Sequence, residues 1–304
     1  MPELPEVEFA RRALTKWVDG RSIVRTEADP KVRTFRGSNV KDVEALVGRV
    51  ERIERRGKFL LLTFSDGRGA IAHLGMTGKF LKRPAGAEAR WSRARFVLDS
   101  GEVIHFQDPR LFGLIQPVPA AELSRNQAVA KLGIDPLVDG LTAAQLEAAL
   151  AASRQELKVA LMDQERVAGL GNIHAAEALF RANLHPARAP GSLTKDEWAR
   201  LAKAIHDGIS FALEAEAGEE IEYVEEPGAK NPFLVYGRDG EPCPVCHAPI
   251  ASVDQGGRTT FFCPSCQPKP GKPGKRPAKA KGRAAKPAGG SRSKSAPARG
   301  RKRT

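Results

Sequence analysis

Apolar residues recur at helical spacing over residues 5–18, where Val7, Ala10, Leu14 and Trp17 share one face, so an amphipathic helix leads the chain. Short apolar runs follow at 49–54, 59–64, 70–74, 94–98 and 103–106. Turn signals such as Ser65-Asp66-Gly67 and Asp99-Ser100-Gly101 separate them, which predicts strands joined as antiparallel hairpins. Beyond Pro136 the texture turns helical. Residues 142–152 are rich in Ala and Leu, 155–163 continue that style, and Asn172 stands where an N-cap would start a helix reaching about Asn183. Thr194 and Glu197 form a capping-box pattern ahead of Trp198, Leu201, Ile205 and Ala212, predicting a long amphipathic helix. The reading is an α+β multidomain chain: a β-rich unit with a leading helix over 1–132, a helical unit over 133–235 and a cysteine-bearing module over 236–267. A low-complexity tail over 268–304, alternating Pro, Gly, Ala, Lys and Arg, is expected to be disordered.

No run of ~18 apolar residues occurs, so no membrane-spanning helix is expected. Met1-Pro2-Glu3-Leu4-Pro5-Glu6 is acidic where an export signal would be basic and then apolar. The expected location is therefore the cytoplasm and nucleoid of a bacterial source, or the nucleus of a eukaryotic one. A formal net charge of +13 over 304 residues points to a polyanionic partner, nucleic acid before an anionic membrane. The placement of that charge changes its meaning. Of the 49 Lys and Arg, 14 lie in 269–304, which holds no acid; the other 35 face 36 acidic residues. The body of the chain is nearly neutral, so its affinity for DNA must come from placed residues.

All four cysteines fall in one block, Cys243-x2-Cys246 and Cys263-x2-Cys266, with sixteen residues between the two turns. Two such turns suit one tetrahedral zinc ion held by four thiolates; two disulfides in an exported protein are the alternative. The acidic N-terminus and the lack of further cysteines favour one structural Zn2+. Gly256-Gly257 and the strand-like Arg258–Phe262 complete a ribbon of two hairpins, with Arg258 near a tip where it can meet a phosphate.

Pro2 raises a separate possibility. Removal of Met1 would expose a secondary amine, with an α-amine pKa of roughly 8, able to attack a sugar C1′ and form a cationic imine. Glu3 beside it could shuttle a proton. A proline at position 2 is common, and alone it decides nothing. The run Met1-Pro-Glu-Leu-Pro-Glu-Val-Glu8, however, resembles the start of the formamidopyrimidine-DNA glycosylase and endonuclease VIII family. Arg56-Gly57-Lys58-Phe59 is similar to that family's catalytic-lysine loop. His73-Leu-Gly-Met-Thr-Gly78 and Asp108-Pro-Arg-Leu-Phe-Gly113 resemble its DNA-inserting loops. Leu161-Met-Asp163 with Gly169-Leu-Gly-Asn-Ile173 resembles its helix–two-turn–helix, and the cysteine block resembles its zinc ribbon.

The resemblance implies an N-terminal β-sandwich, a helix–two-turn–helix domain and a C-terminal zinc ribbon. It implies a monomeric bifunctional glycosylase and abasic-site lyase acting on duplex DNA that carries oxidised bases or abasic sites. The catalytic group would be Pro2, Glu3, Lys58 and Arg258. Base flipping leaves a gap, which Met76, Arg110 and Phe112 would fill. Lys158, Asn172, Arg93 and Arg154 would hold the DNA, Asn172 either as a helix cap or at a phosphate-binding helix N-terminus. Three departures from the family pattern stand out. Between Glu214 and Glu226 lie seven Glu and no basic residue, where the family carries a Gly/Ser/Thr-rich loop at the flipped purine. Trp91-Ser92-Arg93 replaces histidines that contact DNA, and Leu111 replaces an arginine. The first bears on recognition of 8-oxoguanine. Competing readings are a non-catalytic damaged-DNA binder on the same scaffold and a ribbon protein, RNA-associated, that shares only architecture.

Overall fold

The computed structural model describes residues 2–29, 39–215, 220–224, 226 and 228–269; the tail expected to be disordered lies outside them from residue 270. Helix α1 (Leu4–Val18) buries Val7, Ala10, Leu14 and Trp17, as their spacing predicts. Strand β1 (Ser22–Ala28) and the short α2 (Val40–Glu44) precede the hairpin of β2 (Gly48–Arg56) and β3 (Phe59–Phe64), followed by β4 (Arg68–His73), β5 (Lys79–Arg83), β6 (Ser92–Leu98), β7 (Val103–Gln107) and β8 (Leu114–Pro119).

These strands form two antiparallel leaves, β5-β7-β6-β1 and β2-β3-β4-β8. They join only where Ser22 and Ile23 pair with Arg49 and Gly48. The result is a β-sandwich. Its core unites Val7, Leu14 and Trp17 of α1 with Leu60 and Phe64 of one leaf and Phe80, Phe96 and Phe106 of the other. The apolar runs located five of the eight strands. Strand β8 was hidden by Pro117 and Pro119, which a strand tolerates at a sheet edge, where β8 lies. Strands β1 and β5 were hidden by the charged residues Arg25 and Glu27, and Lys79, Lys82 and Arg83, which interrupt their apolar pattern.

The helical part comprises α3 (Gln127–Ala130), α4 (Ala143–Leu150), α5 (Leu157–Leu161), α6 (Asn172–Arg181) and α7 (Lys195–Ala215). Thr194 and Glu197 make the expected capping box: the Thr194 N–H donates to Glu197 Oε2 at 2.8 Å and the Glu197 N–H to Thr194 Oγ1 at 3.2 Å. Leu146, Leu157, Leu161, Leu179, Trp198 and Ile205 build a second core, and Leu4 packs into it rather than into the sandwich. The N-terminus of α1 thus reaches the helices. The Leu4 N–H donates to the Gly169 carbonyl at 3.0 Å.

The cysteine module contributes one full hairpin, β9 (Ala251–Gln255) with β10 (Arg258–Phe262), turning at Gly256 and Gly257, whose φ of 56° and 71° suit glycine. The expected partner hairpin is reduced to one bridge, Pro242 to Pro249. A Cβ on Gly256 would sit 3.3 Å from the Val159 methyls, so the hairpin turn rests on α5. Buried Glu177 of α6 accepts the N–H groups of Leu234, Val235 and Tyr236, tying the approach to the module onto the helices. Among the described residues no helix is long and apolar enough to cross a membrane.

Candidate functional site

The Glu3 carboxylate is 1% exposed and sits at the start of α6, accepting the N–H groups of Gly171 at 2.8 Å, Ile173 at 2.9 Å and His174 at 3.1 Å. The first turn of a helix has N–H groups with no partner in the helix, and here a carboxylate from the chain's first residues takes them. The N-cap expected at Asn172 changes as a result. Gly171 occupies the N-cap and Asn172 is the first helical residue; the Gly171, Ile173 and His174 N–H groups are not open to a phosphate. The Asn172 side chain instead accepts from Lys158 Nζ and donates through Nδ2 to the Thr259 carbonyl of β10 at 3.0 Å.

Lys58 approaches the same point from the β2–β3 turn. A Cβ on Gly171 would lie 2.4 Å from Glu3 Oε1 and 2.7 Å from Lys58 Nζ, so only glycine lets both groups close on this backbone. Burial pushes the Lys58 ammonium pKa down and Arg258 pushes it further, against the attraction of Glu3 and Glu6. Lys158, fully buried at the N-terminal turn of α5, is lowered to about 8 by burial and then by Arg258, with Glu3 opposing. Pro2 is buried and Arg258 exposed. Glu3, Lys58, Lys158 and Arg258, scattered over the chain, therefore form one charged cluster, to which Asn172 is hydrogen-bonded through Lys158.

Sequence reasoning missed what holds this cluster. Buried Arg55 gives Asp135 two hydrogen bonds, Nη1 to Oδ2 at 2.6 Å and Nη2 to Oδ1 at 3.0 Å, and donates to the Gly57 carbonyl at 3.0 Å. Asp135 also accepts the Gly57 N–H at 2.8 Å, fixing the turn that carries Lys58. Burial disfavours charge on both Glu6 and His174, yet Glu6 is held below its usual range by His174 and the Glu3 N–H, and His174 is held above its own by Glu6, Glu3 and Glu177. Their 3.7 Å separation is an ion-pair distance. No local pattern announces these pairs, because each partner lies far along the chain.

A second group lies on two touching loops. Gly75, at φ 69°, lies so near Phe112 that a Cβ would fall 2.4 Å from the Phe112 carbonyl carbon. Met76, half-buried, follows it. Fully buried Asp108 shapes the other loop, accepting the Gly113 N–H at 2.6 Å and the Arg110 N–H at 3.3 Å. Phe112 is 48% exposed with Arg110 5.4 Å from its ring centroid, so it is not a core residue. Arg93 supports this loop, donating from Nε to the Asp108 carbonyl at 2.8 Å and lying 3.7 Å from Asp29. Arg154 is exposed on the segment entering α5.

The described part of the acidic segment docks on β5. Ile221 and Tyr223 join the sandwich core, Glu220 pairs with Arg83, and Glu226 pairs with Lys79 at 2.9 Å. The Tyr223 hydroxyl donates to the Gly78 carbonyl at 2.6 Å. A cavity of about 450 Å³ opens between Met76, Lys79, Gln107, Arg110, Tyr223 and Glu226.

The four cysteine sulfurs lie within 4.8 Å of one another, with Cys243–Cys266 at 3.9 Å and Cys246–Cys263 at 3.5 Å. A zinc tetrahedron with Zn–S of about 2.3 Å has edges of roughly 3.8 Å, so this set fits one structural zinc. Four thiolates leave it no position for a substrate.

Comparison with known proteins agrees with this arrangement. Residues 1–115 match the formamidopyrimidine-DNA glycosylase N-terminal domain, 132–222 the formamidopyrimidine-DNA glycosylase H2TH domain, and 240–269 the zinc finger found in FPG and IleRS. The formamidopyrimidine-DNA glycosylase of Desulfitobacterium hafniense is 39% identical over 275 residues, covering 88% of this chain and 100% of the relative. The crystal structure of the MutM (FPG) protein from Thermus thermophilus superposes with a TM-score of 0.73 at 36% identity, over 88% of this chain and 98% of that one. Lactococcus lactis Fpg in complex with DNA containing an abasic site gives a TM-score of 0.78 at 28% identity, over 88% and 100%.

Proposed function

The chain belongs to the formamidopyrimidine-DNA glycosylase family, and on that premise we propose that it excises oxidised bases from duplex DNA and then cleaves the abasic strand, with Pro2 as nucleophile. The observation that carries this reading is the closure of Glu3 and Lys58 on one glycine backbone beside Pro2, with Lys158 and Arg258 adjoining. The abasic-site DNA held by Lactococcus lactis Fpg supports the choice of substrate.

Loss of Met1 leaves the Pro2 nitrogen as a secondary amine. Its lone pair attacks C1′ while the bond to the base breaks; the base departs with the bonding pair and takes up a proton. Glu3 relays a proton to the ring oxygen, the sugar opens, and a cationic imine joins Pro2 to C1′. The imine draws electrons from C2′. A neutral Lys58 amine, favoured by its lowered pKa, removes the C2′ proton, and the 3′ phosphate leaves. A second elimination expels the 5′ phosphate, and water releases the sugar fragment from Pro2. A one-nucleotide gap remains. Arg258 and Lys158 supply charge for the phosphates, while Phe112, Met76 and Arg110 fill the space left by the flipped base.

Borohydride reduction tests the reading because it turns the imine into a stable amine. Wild-type protein incubated with abasic-site duplex should form a covalent protein–DNA adduct, and Pro2→Gly should lose most of it. Tight binding without any adduct from the wild type would leave a damaged-DNA binder and remove the enzyme.

A further inference from the structure

Trp91 and Leu111 both have a φ of 61°, in the left-handed region that bulky side chains avoid unless their surroundings hold them there. The surroundings of Trp91 do so. Its carbonyl accepts the Asp108 N–H at 3.0 Å, Gln107 Nε2 donates to the Arg90 carbonyl at 2.6 Å, and Arg93 Nε donates to the Asp108 carbonyl at 2.8 Å. These three bonds fasten the Trp91 turn to the base of the loop that presents Arg110 and Phe112. What they display is an indole 45% exposed, whereas Trp17 and Trp198 are 3% and 1% exposed.

Most of the charges around the ring are paired with one another, and the guanidinium of Arg90 lies closest to it. The Arg90 guanidinium lies 4.7 Å and that of Arg93 5.7 Å from the ring centroid. Glu27 is engaged by Arg25 and Arg95, and Asp29 by Arg93. The ring borders a cleft of about 430 Å³ lined by Arg90, Arg93 and Arg95 as well as these acids and Glu88. An exposed aromatic braced by guanidinium groups suits a stacked base near a phosphate backbone. The neighbouring loop exposes Phe112 and Leu111, 48% and 42%, so apolar and cationic groups run from one loop to the other.

We propose that Trp91, braced by Arg90, is a stacking platform for a nucleobase of the bound DNA beside the point where Phe112 enters. The platform rests on the glycosylase reading, and supplies a second aromatic contact that holds the DNA open around the damaged position. It is separate from the cluster at Glu3 and Lys58 and takes no part in bond making or breaking.

Intrinsic fluorescence reports on this ring because the other two tryptophans are buried. Titration of the full chain with abasic-site duplex at fixed salt should change the emission, and Trp91→Phe should remove most of that change while retaining most of the affinity. Trp91→Leu, still apolar but without a π face, should bind roughly 5- to 100-fold more weakly at an unchanged melting temperature. Unchanged wild-type emission on DNA binding, or equal affinities for the Leu and Phe variants, would overturn the platform. Emission that depends on protein concentration without DNA, and does not respond to DNA, would assign the ring to a contact between copies and overturn it too. Borohydride trapping on the same samples tells failure of the platform from failure of the glycosylase reading.

Discussion

Lys158 is an amine held away from water, with Asn172 as its hydrogen-bond acceptor and Arg258 as a like charge. Its pKa of about 8, against roughly 10.4 in an unfolded chain, gives two opposite pH effects. Between those values the unfolded chain binds the extra proton, so the contribution of Lys158 to stability rises with pH over that window and is constant below it. On the proposed reading, its attraction for phosphate is lost as the folded group titrates, around pH 8. DNA affinity measured at fixed salt from pH 7 to 9 should therefore fall with a midpoint near 8, and Lys158→Gln should flatten that fall. A flat wild-type profile would show that Lys158 does not meet phosphate. At this scale the cationic residues were legible through family resemblance to short motifs, whereas Asp135, Asp108 and the Glu6–His174 pair were not. A buried acid is read from its partner, and Arg55 lies 80 residues from Asp135.

The β2–β3 turn shows how an element positions a reactive group. Asp135 belongs to the segment leading into the helices, yet it holds both Arg55 on β2 and the Gly57 N–H. Asp135→Asn would leave the Arg55 guanidinium buried with Glu8 at 3.3 Å as its remaining carboxylate. Breaking a buried pair by removing one partner costs about 3–5 kcal/mol. Urea unfolding should show a loss of that order, and adduct formation should slow as Lys58 loses its fixed turn. An unchanged unfolding midpoint would show that the pair is dispensable. Local signals predicted the elements they govern: helical spacing for α1, the capping box for α7, and the paired CxxC turns for the ribbon. They failed where a neighbour decides, as at the proline-bearing edge strand β8 and at α6, whose N-terminus is satisfied by Glu3 rather than by its own Asn172.

Across the whole molecule, charge and fold divide the work unevenly. The family match ends at residue 269, where the run of 14 basic residues without an acid begins. Each phosphate neutralised on duplex DNA contributes about −0.9 to the slope of log affinity against log salt. Deleting 269–304 should therefore make that slope shallower by several units while leaving borohydride trapping at saturating DNA intact. An unchanged slope would show that the tail takes no part in binding. On the proposed reading, the neutral body holds DNA through the placed residues at Lys158, Arg258 and the two loops. The contact between Glu3 and α6 also sets a clock. Gly171 follows Glu3 by 168 residues, so at roughly 5–20 residues per second a nascent chain waits on the order of ten to thirty seconds before that carboxylate has its partners. Leu4 waits similarly for the helices that bury it. The sandwich emerges from the ribosome first, but Glu3 gains its partners only after α6 has been made, past the middle of the chain, which would delay the proposed activity until then.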